Sequence, residues 1–527
     1  MTGYAKRFNG AFFAIATTFM LLSNSPALGA DIIVDTLSED VLKDAVASAT
    51  SADVVRITAE GVITLTGQIT ISKEVKIVGP GQDKLAISGN NACRVFSVSP
   101  NVSADISELS IVSGFISGNG GGIYNLSNKL TVTNCTFSGN SASSGGGMHN
   151  AYSSPIVINC TFSGNSGTYG GGMYNFSCSP IVTNSTFSGN SATSGGGMTN
   201  HTANPIVTGC TFSGNSSTTY GGGMANGHSN PIVTNCTFSG NSDVNYGGGM
   251  YNYFSSPTAT NCTFSGNSAR YGSGMYNWDT SNPTVINCIF WNLNGAEITN
   301  ASSSATVRNS IVKNGSVGAG TISSDIVTTD PLLGALEDNG GPTRTCAIPA
   351  NSPAVDTGTS GGAPETDQRG VSRPQGGGVD IGAFEYATSM PPALLSPENE
   401  ATGISLIPVL ETDTYTHPAE LAHAATQWQV GTDETFESGV LVDETSETSL
   451  TAFGVSEGIL ESGSIYYWRV RFQDSKGNWS GWSEIWSFTT ASESGGGGGG
   501  GCQTGSLPGT AWLLFPLILV GFKWRTR

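Results

Sequence analysis

The chain says one thing repeatedly. "NCTFSGNSASSGGGMHN" (134–150) returns as "NCTFSGNSGTYGGGMYN" (159–175) and as "NSTFSGNSATSGGGMTN" (184–200). The phenylalanine of the phrase stands at Phe137, Phe162, Phe187, Phe212, Phe238, Phe264 and Phe290, at steps of 25 or 26 residues. The methionines that follow the glycine runs, Met148, Met173, Met198, Met224, Met250 and Met275, keep the same step. A fixed period in the twenties marks a solenoid, because one repeat cannot bury its own apolar face and must stack on its copies. Leucine-rich repeats share this length, but their leucine framework is missing. No 3.6-residue periodicity fits between the turns.

Each unit holds short strand-like pieces, one in "PIVTNCTF" and one around "GGGMYN", separated by polar Ser/Gly/Asn turns. Three such pieces per repeat predict an all-β fold: a right-handed parallel β-helix whose coils pair with those above and below, about 4.8 Å away. In "CTF" the Cys and Phe lie two apart and share a face, so both are placed inside with the Met. Identical residues then stack into ladders. Asn150, Asn175, Asn200, Asn226, Asn252 and Asn277 make one, and the Asn of "SGN" makes a second. The triple glycines permit tight corners. "SEDVLKDAVASAT" (38–50) suits a helix that covers the first coil, with Ser38 as its N-cap. The expected order is an N-terminal cap and first coils (31–118), the repeated coils (119–307), an end region (308–387) and a β-sandwich (388–490).

Several stretches resemble known families. "FSGN" and "GGGM" are similar to the FxxN and GGA-apolar tetrapeptides of the chlamydial polymorphic membrane proteins, over about residues 114–294. That resemblance implies an adhesive role, though it stops short of the autotransporter barrel in which those proteins end. "DPLLGALEDNGGPTRTCAIPANSPAVDTG" (330–358) and "TDQRGVSRPQGGGVDIGAFEY" (366–386) resemble the choice-of-anchor Q domain. Its presence implies a bacterial surface β-helix protein and names no reaction. Residues 392–490 resemble a fibronectin type III module with Trp428 and Trp468 in its core. Such modules act as spacers; a sugar-binding role for Trp479 and Trp482 is the other reading.

The two ends point to export. Residues 1–30 have a basic start at Lys6 and Arg7, an apolar stretch at 11–22 and small residues at 27–30, the form of a signal peptide cleaved between Ala30 and Asp31. A glycine-rich linker (491–505) carries Cys502, and an apolar segment with a basic tail (506–527) follows. This order is similar to the MYXO-CTERM and Synerg-CTERM sorting tails, which implies processing near Cys502 and display at the cell surface or outer membrane. A plain one-pass anchor is the alternative. Either way, membrane contact is expected only through this segment.

Charge narrows the function. Only 11% of residues are charged and the net charge is −18, which disfavours nucleic acid as a partner. Enzymes that cut acidic polysaccharides need paired carboxylates or a base. Between Asn119 and Asn294 the only charged residues are Lys129, Asp243, Arg270 and Asp279. A non-catalytic role in adhesion or glycan contact is therefore expected, with no cofactor or metal and with glycans or surface proteins as partners. A polysaccharide lyase or glycoside hydrolase, and a purely structural stalk, are the alternatives. Tyr169, Tyr220, Tyr246 and Tyr271, each just before a glycine run, are candidate ligand contacts or, alternatively, turn fillers. His149, His201 and His228 share no repeat position, which argues against a metal site, and His149 is expected to face solvent. Asp356, Asp367, Arg369, Arg373, Asp380 and Glu385 are read as ion pairs and turn caps that close the last coil, with a bound calcium as a second reading. Cys135, Cys160, Cys210, Cys236, Cys262 and Cys288 occupy one repeat position that Ser185 once fills. A buried thiol ladder and inter-coil disulfides both remain open.

Overall fold

A computed structural model describes residues 30–492, apart from 52, 316, 318, 319, 323, 324, 388 and 418–420. The expected signal segment, the glycine-rich linker with Cys502 and the basic-ended tail lie outside the described residues. Of the expected cleavage site, Ala30 and Asp31 are described, and Asp31 opens the strand Asp31–Val34. The chain divides into two units. The first takes in the residues up to Pro391 together with Tyr415–Ala424 and Phe472–Gly481, and the second takes in Pro392–Thr414, Ala425–Arg471 and the residues from Trp482.

The first unit is a parallel β-solenoid of about 11 turns. One coil shows how the phrase folds. Ile156–Ile158 is a strand, Asn159 turns the chain with φ 52°, and Thr161–Ser163 continues it. Gly164 makes the next corner, Ser166–Tyr169 follows, Gly170 turns again and Met173–Phe176 completes the coil. "PIVTNCTF" is thus two strands hinged at Asn, a residue whose short amide tolerates the left-handed backbone. Corresponding strands pair in register from coil to coil, Phe162 beside Phe187 and Met173 beside Met198. They form sheets of 22, 10 and 6 strands among the described residues. The helix α1, Glu39–Ser48, is capped by Ser38, whose hydroxyl accepts the Val41 N–H. Its Leu42, Ala45 and Val46 join Val34 and Ile57 in the core.

Stacked identical residues fill the interior. The phenylalanine rings lie nearly parallel, 4.4 Å apart at Phe137–Phe162 and 4.7 Å apart at Phe187–Phe212. The asparagines after "GGGMx" form a one-way chain in which each side-chain amide donates to the next oxygen. The chain runs from Asn125 through Asn150, Asn175, Asn200, Asn226, Asn252 and Asn277 to Asn300, at 2.7–3.1 Å per step. The "SGN" asparagines form a second chain that ends on Glu297, whose carboxylate accepts both the N–H and the amide of Asn292.

The nine described cysteines carry free thiols. In the CTF position each thiol closes a turn: Cys210 Sγ donates to Thr208 O, and the Cys210 N–H donates to Cys236 Sγ. Ser185 makes the same pair of bonds, to Thr183 O and from Cys160 N, which is why the two residues interchange there.

Residues 330–387 depart from the expectation that they close the last coil. They run back along the outside of the 22-stranded sheet. Asn235 donates to Thr366 O, Asn261 to Asp380 O and Asn287 to Thr359 O, while Gln368 bonds Thr211 and Thr237. The physical reason is the corner asparagine: its amide points away from the core and needs acceptors, which an extended strap supplies.

The second unit is built from a three-stranded and a five-stranded sheet. Leu394–Ser396, Val409–Thr412 and Ala452–Gly454 form the small sheet. The larger sheet pairs His423–Gly431 with Val440–Ser446 and Ile465–Asp474 with Trp486–Thr490. Trp428 and Trp468 are fully buried in the core.

Candidate functional site

The described surface holds a groove of about 590 Å³ on the outward face of the ten-stranded sheet. Its construction follows from the repeat. In Met173–Phe176 and its copies, Met and Asn point inward and the residues after each point outward. The position after Met reads Tyr124, His149, Tyr174, Thr199, Ala225, Tyr251 and Tyr276 in register. It forms the floor. The position after Asn reads Phe176, His201, Gly227, Tyr253 and Trp278 and forms one wall. The opposite wall is the row before the glycines: Tyr169, Ser194, Tyr220, Tyr246 and Tyr271. The glycines between wall and floor carry no side chain, so the rings can lean over the floor.

The four tyrosines singled out in the sequence therefore share one row, but not equally. Tyr220, Tyr246 and Tyr271 stack on one another at 6.1 and 5.7 Å. Tyr169 is separated from them by Ser194 and packs instead 6.0 Å from Tyr174. Tyr220 and Tyr246 lean onto the floor, 4.6 Å from Tyr251 and 4.8 Å from Tyr276. Tyr169 and Tyr271 remain exposed. The floor and far wall, Tyr174, Tyr251, Tyr253, Trp278, His201 and His228, escaped the sequence reading as ligand contacts. The available signal was the repeat register itself: aromatic residues stand two places apart after three of the glycine runs, as Tyr174 and Phe176, Tyr251 and Tyr253, and Tyr276 and Trp278.

His149 corrects another expectation. It is buried, not solvent-facing, with its ring 5.3 Å from Tyr124 and 5.0 Å from Tyr174. An outward position is covered here because stacked neighbours above and below close over it. Burial pushes its pKa down to about 4. His201 and His228 approach to 6.1 Å from different register positions. Burial and the neighbouring His228 lower the pKa of His201. No Asp, Glu, Lys or Arg lines the groove.

The acids lie elsewhere and are occupied. Asp243 accepts the backbone N–H groups of Asn245 and Tyr246 and the Ser217 hydroxyl. In the strap, Arg373 meets Glu385 at 2.5 Å and Arg369 meets Asp367 at 2.8 Å, all four side chains almost wholly buried. Glu385 also accepts the N–H groups of Gln375 and Asp380. Asp380 takes those of Asp356 and Tyr386, and burial pushes its pKa up to about 7. These carboxylates hold loops together. Among the described residues no group of three His, Cys, Asp or Glu could hold a metal ion, and no helix is long and apolar enough to cross a membrane. In the second unit, the guanidinium groups of Arg469 and Arg471 lie 4.4 and 4.5 Å from the ring of Trp482, which removes that face as a stacking platform.

Comparison with known proteins agrees with this architecture. Residues 417–493 match the N-terminal immunoglobulin domain of Rha78A-like proteins, a β-sandwich in the place where a fibronectin-like module was expected. No curated protein matches the chain in sequence. Among solved structures, an α-L-rhamnosidase from Dictyoglumus thermophilum is similar at 23% identity and a TM-score of 0.17, over 20% of this chain. An arginine-to-alanine mutant of the PL6 family alginate lyase AlyGC is similar at 11% identity and a TM-score of 0.39, over 71% of this chain. The chain spans 12% and 61% of those two proteins. The model of the right-handed β-helix region matches residues 60–229 and 216–329. Together these spans take in more than half of the chain, which belongs to the right-handed β-helix family.

Proposed function

We propose that this is a non-catalytic β-helix protein that contacts neutral glycans through the aromatic groove of its ten-stranded sheet. The observation that carries this reading is a ring-lined groove, from Tyr169 to Trp278, with no Asp, Glu, Lys or Arg in its lining. Aromatic faces stack on the C–H faces of sugar rings, and phenol hydroxyls bond their rims. A hydrolase or lyase needs acids or bases facing its substrate, and the carboxylates described above are spent on backbone N–H groups and arginines. In this reading the protein is exported and held at the cell surface by its C-terminal segment, the setting to which its terminal sequences and the choice-of-anchor Q likeness point.

A glycan array probed with the purified protein, with the supernatant assayed for released fragments, tests it. Selective binding without release is the expected result. Fragment release would replace the reading with an enzyme, and absence of both would leave a structural stalk.

A further inference from the structure

The strap of residues 330–387 shows what the outward threonine row of the 22-stranded sheet recognises. That row reads Thr136, Thr161, Thr186, Thr211, Thr237 and Thr263 in register from coil to coil. The hydroxyl of Thr211 donates to Arg344 O and that of Thr237 to Gln368 Oε1, while Thr263 Oγ1 accepts the Ala383 N–H. Beside the row, the corner asparagines Asn235 and Asn261 donate to the strap carbonyls of Thr366 and Asp380. Strap and sheet thus meet by one rule. A corner amide takes a main-chain carbonyl, and the threonine two residues on takes a backbone group or a glutamine side chain.

The strap does not reach the N-terminal part of this row. Its turn at Asp338–Arg344 arrives at the coil of Thr211, where a groove of about 480 Å³ is lined by Thr161, Thr186 and Ser188 of the sheet and by Arg344 of the turn. On the far side, the coil of Thr136 is satisfied internally: Thr136 donates to Gln82 Oε1 and Asn134 to Glu108 Oε1. Two coils lie between, and they carry the same groups unspent. The side chains of Asn159, Thr161, Asn184 and Thr186 make no hydrogen bond among the described residues. Asn159 and Asn184 hold the corner at φ 52° and 51°, as Asn235 does at 50°. Wherever a side chain bonds a hydroxyl of this row among the described residues, it is a glutamine: Gln82 on Thr136, and Gln368 on Thr211 and Thr237. From Thr136 to Thr211 is three coil steps, about 14 Å, which an extended chain covers in about four residues.

We propose that the coils of Asn159 and Asn184 dock an extended segment of a partner protein. The two corner amides donate to its main-chain carbonyls, and Thr161 or Thr186 pairs with a glutamine side chain. Continuity with the strap's own track argues for polypeptide, and a second copy's strap is already engaged along its own sheet. The surface belongs to a different sheet from the aromatic groove, so the proposal stands independently of the glycan reading.

The probe is the strap's own sequence, a synthetic peptide of residues 363–372, with a Gln368→Ala counterpart. Each peptide is titrated to millimolar concentration into the purified protein and read by calorimetry. The variants are Asn184→Gly and Thr186→Val. Gly209 already stands at the same corner, and valine keeps the branched shape of threonine, so both variants are expected to fold; their melting temperatures check this. The expected result is saturable binding by the wild type and about fivefold weaker binding in each variant, the worth of one neutral hydrogen bond. The Gln368→Ala peptide should lose a similar factor. Failure of the peptide to saturate, or wild-type affinity in both variants, would overturn the site. Equal binding of the Gln368→Ala peptide would overturn the glutamine preference. Displacement of the peptide by neutral oligosaccharides would overturn polypeptide as the occupant. A dimer in sedimentation velocity that Thr186→Val abolishes would replace the partner protein with a second copy of this chain.

Discussion

Asn190 sits in the middle of the "SGN" ladder and is fully buried. Its side-chain amide donates to Phe162 O and to Asn215 Oδ1, both at 2.9 Å. Its oxygen accepts the N–H and the side-chain amide of Asn165, both at 3.0 Å. Asn190→Ala strands two groups: Asn165 N–H and one Asn165 amide proton. Phe162 O stays in the parallel pairing with Phe187, and Asn215 Oδ1 keeps its bond from Asn190 N. At about 1–3 kcal/mol for each buried orphan, the gross cost is about 2–6 kcal/mol. Partial relaxation brings the expected loss to about 2–4 kcal/mol, above the average for single substitutions. Asn190→Asp separates donor loss from shape. It keeps both accepted bonds, loses both donated ones and places a charge at a site without solvent. Burial raises the folded-state pKa of such an acid, so its neutral form is favoured below the unfolded value and stability is lost as pH rises. Urea titrations of both variants by far-UV circular dichroism, at pH 4 and pH 7, measure this. Asn190→Asp is expected to be much closer to wild type at pH 4 than at pH 7. A loss under about 1 kcal/mol in Asn190→Ala, or an Asn190→Asp protein as stable as wild type at pH 7, would refute the ladder argument.

Other consequences follow from the same physics. Asp380 is raised to about 7 by burial against an ordinary 3.8, so the stability from its neutral form is complete below about pH 4 and lost as pH climbs through 7; Asp380→Asn should flatten that slope in thermal scans taken across this range. The ladder thiols should resist a thiol reagent in the native protein and react on unfolding, since they are buried and burial pushes thiols such as Cys236 up; rapid labelling of native protein, or inter-coil disulfides by mass spectrometry, would contradict the free-thiol interior. Cys236→Ser should cost less than about 1 kcal/mol, because Ser185 makes equivalent bonds, and urea midpoints check it. Gln368→Ala removes bonds to Thr211, Thr237 and Thr343, and should make residues 330–387 a faster target of limited proteolysis while the coils stay intact; an unchanged cleavage rate would mean that the strap is held by something else.

The chain's repeat made the solenoid legible. A 25-residue step with Phe, Cys and Met on shared faces admits few structures, and the register of every coil is specified by the period itself. The hinge at Asn159 was harder to see, because one residue in left-handed conformation leaves no mark in a run that otherwise alternates as a single strand. His149 was misplaced for a related reason. Alternation tells which side of a strand a residue faces, but not whether stacked neighbours then cover that side. The direction of residues 330–387 was also beyond the sequence. Nothing local says whether a segment after the last coil caps it or folds back, since the partners lie more than a hundred residues away, as Asn235 and Thr366 do.

The sequence by itself determined the period, the inward faces and the scarcity of acids along the repeated coils. These are properties of spacing and composition. Only the tertiary structure decided where three separate register rows meet, and that Ser194, Thr199, Ala225 and Gly227 interrupt them in the same two coils. A groove is a relation between rows on different strands, and its shape depends on how rings lean across glycine corners. Residue order constrains each row, whereas only stacking in three dimensions brings the rows side by side.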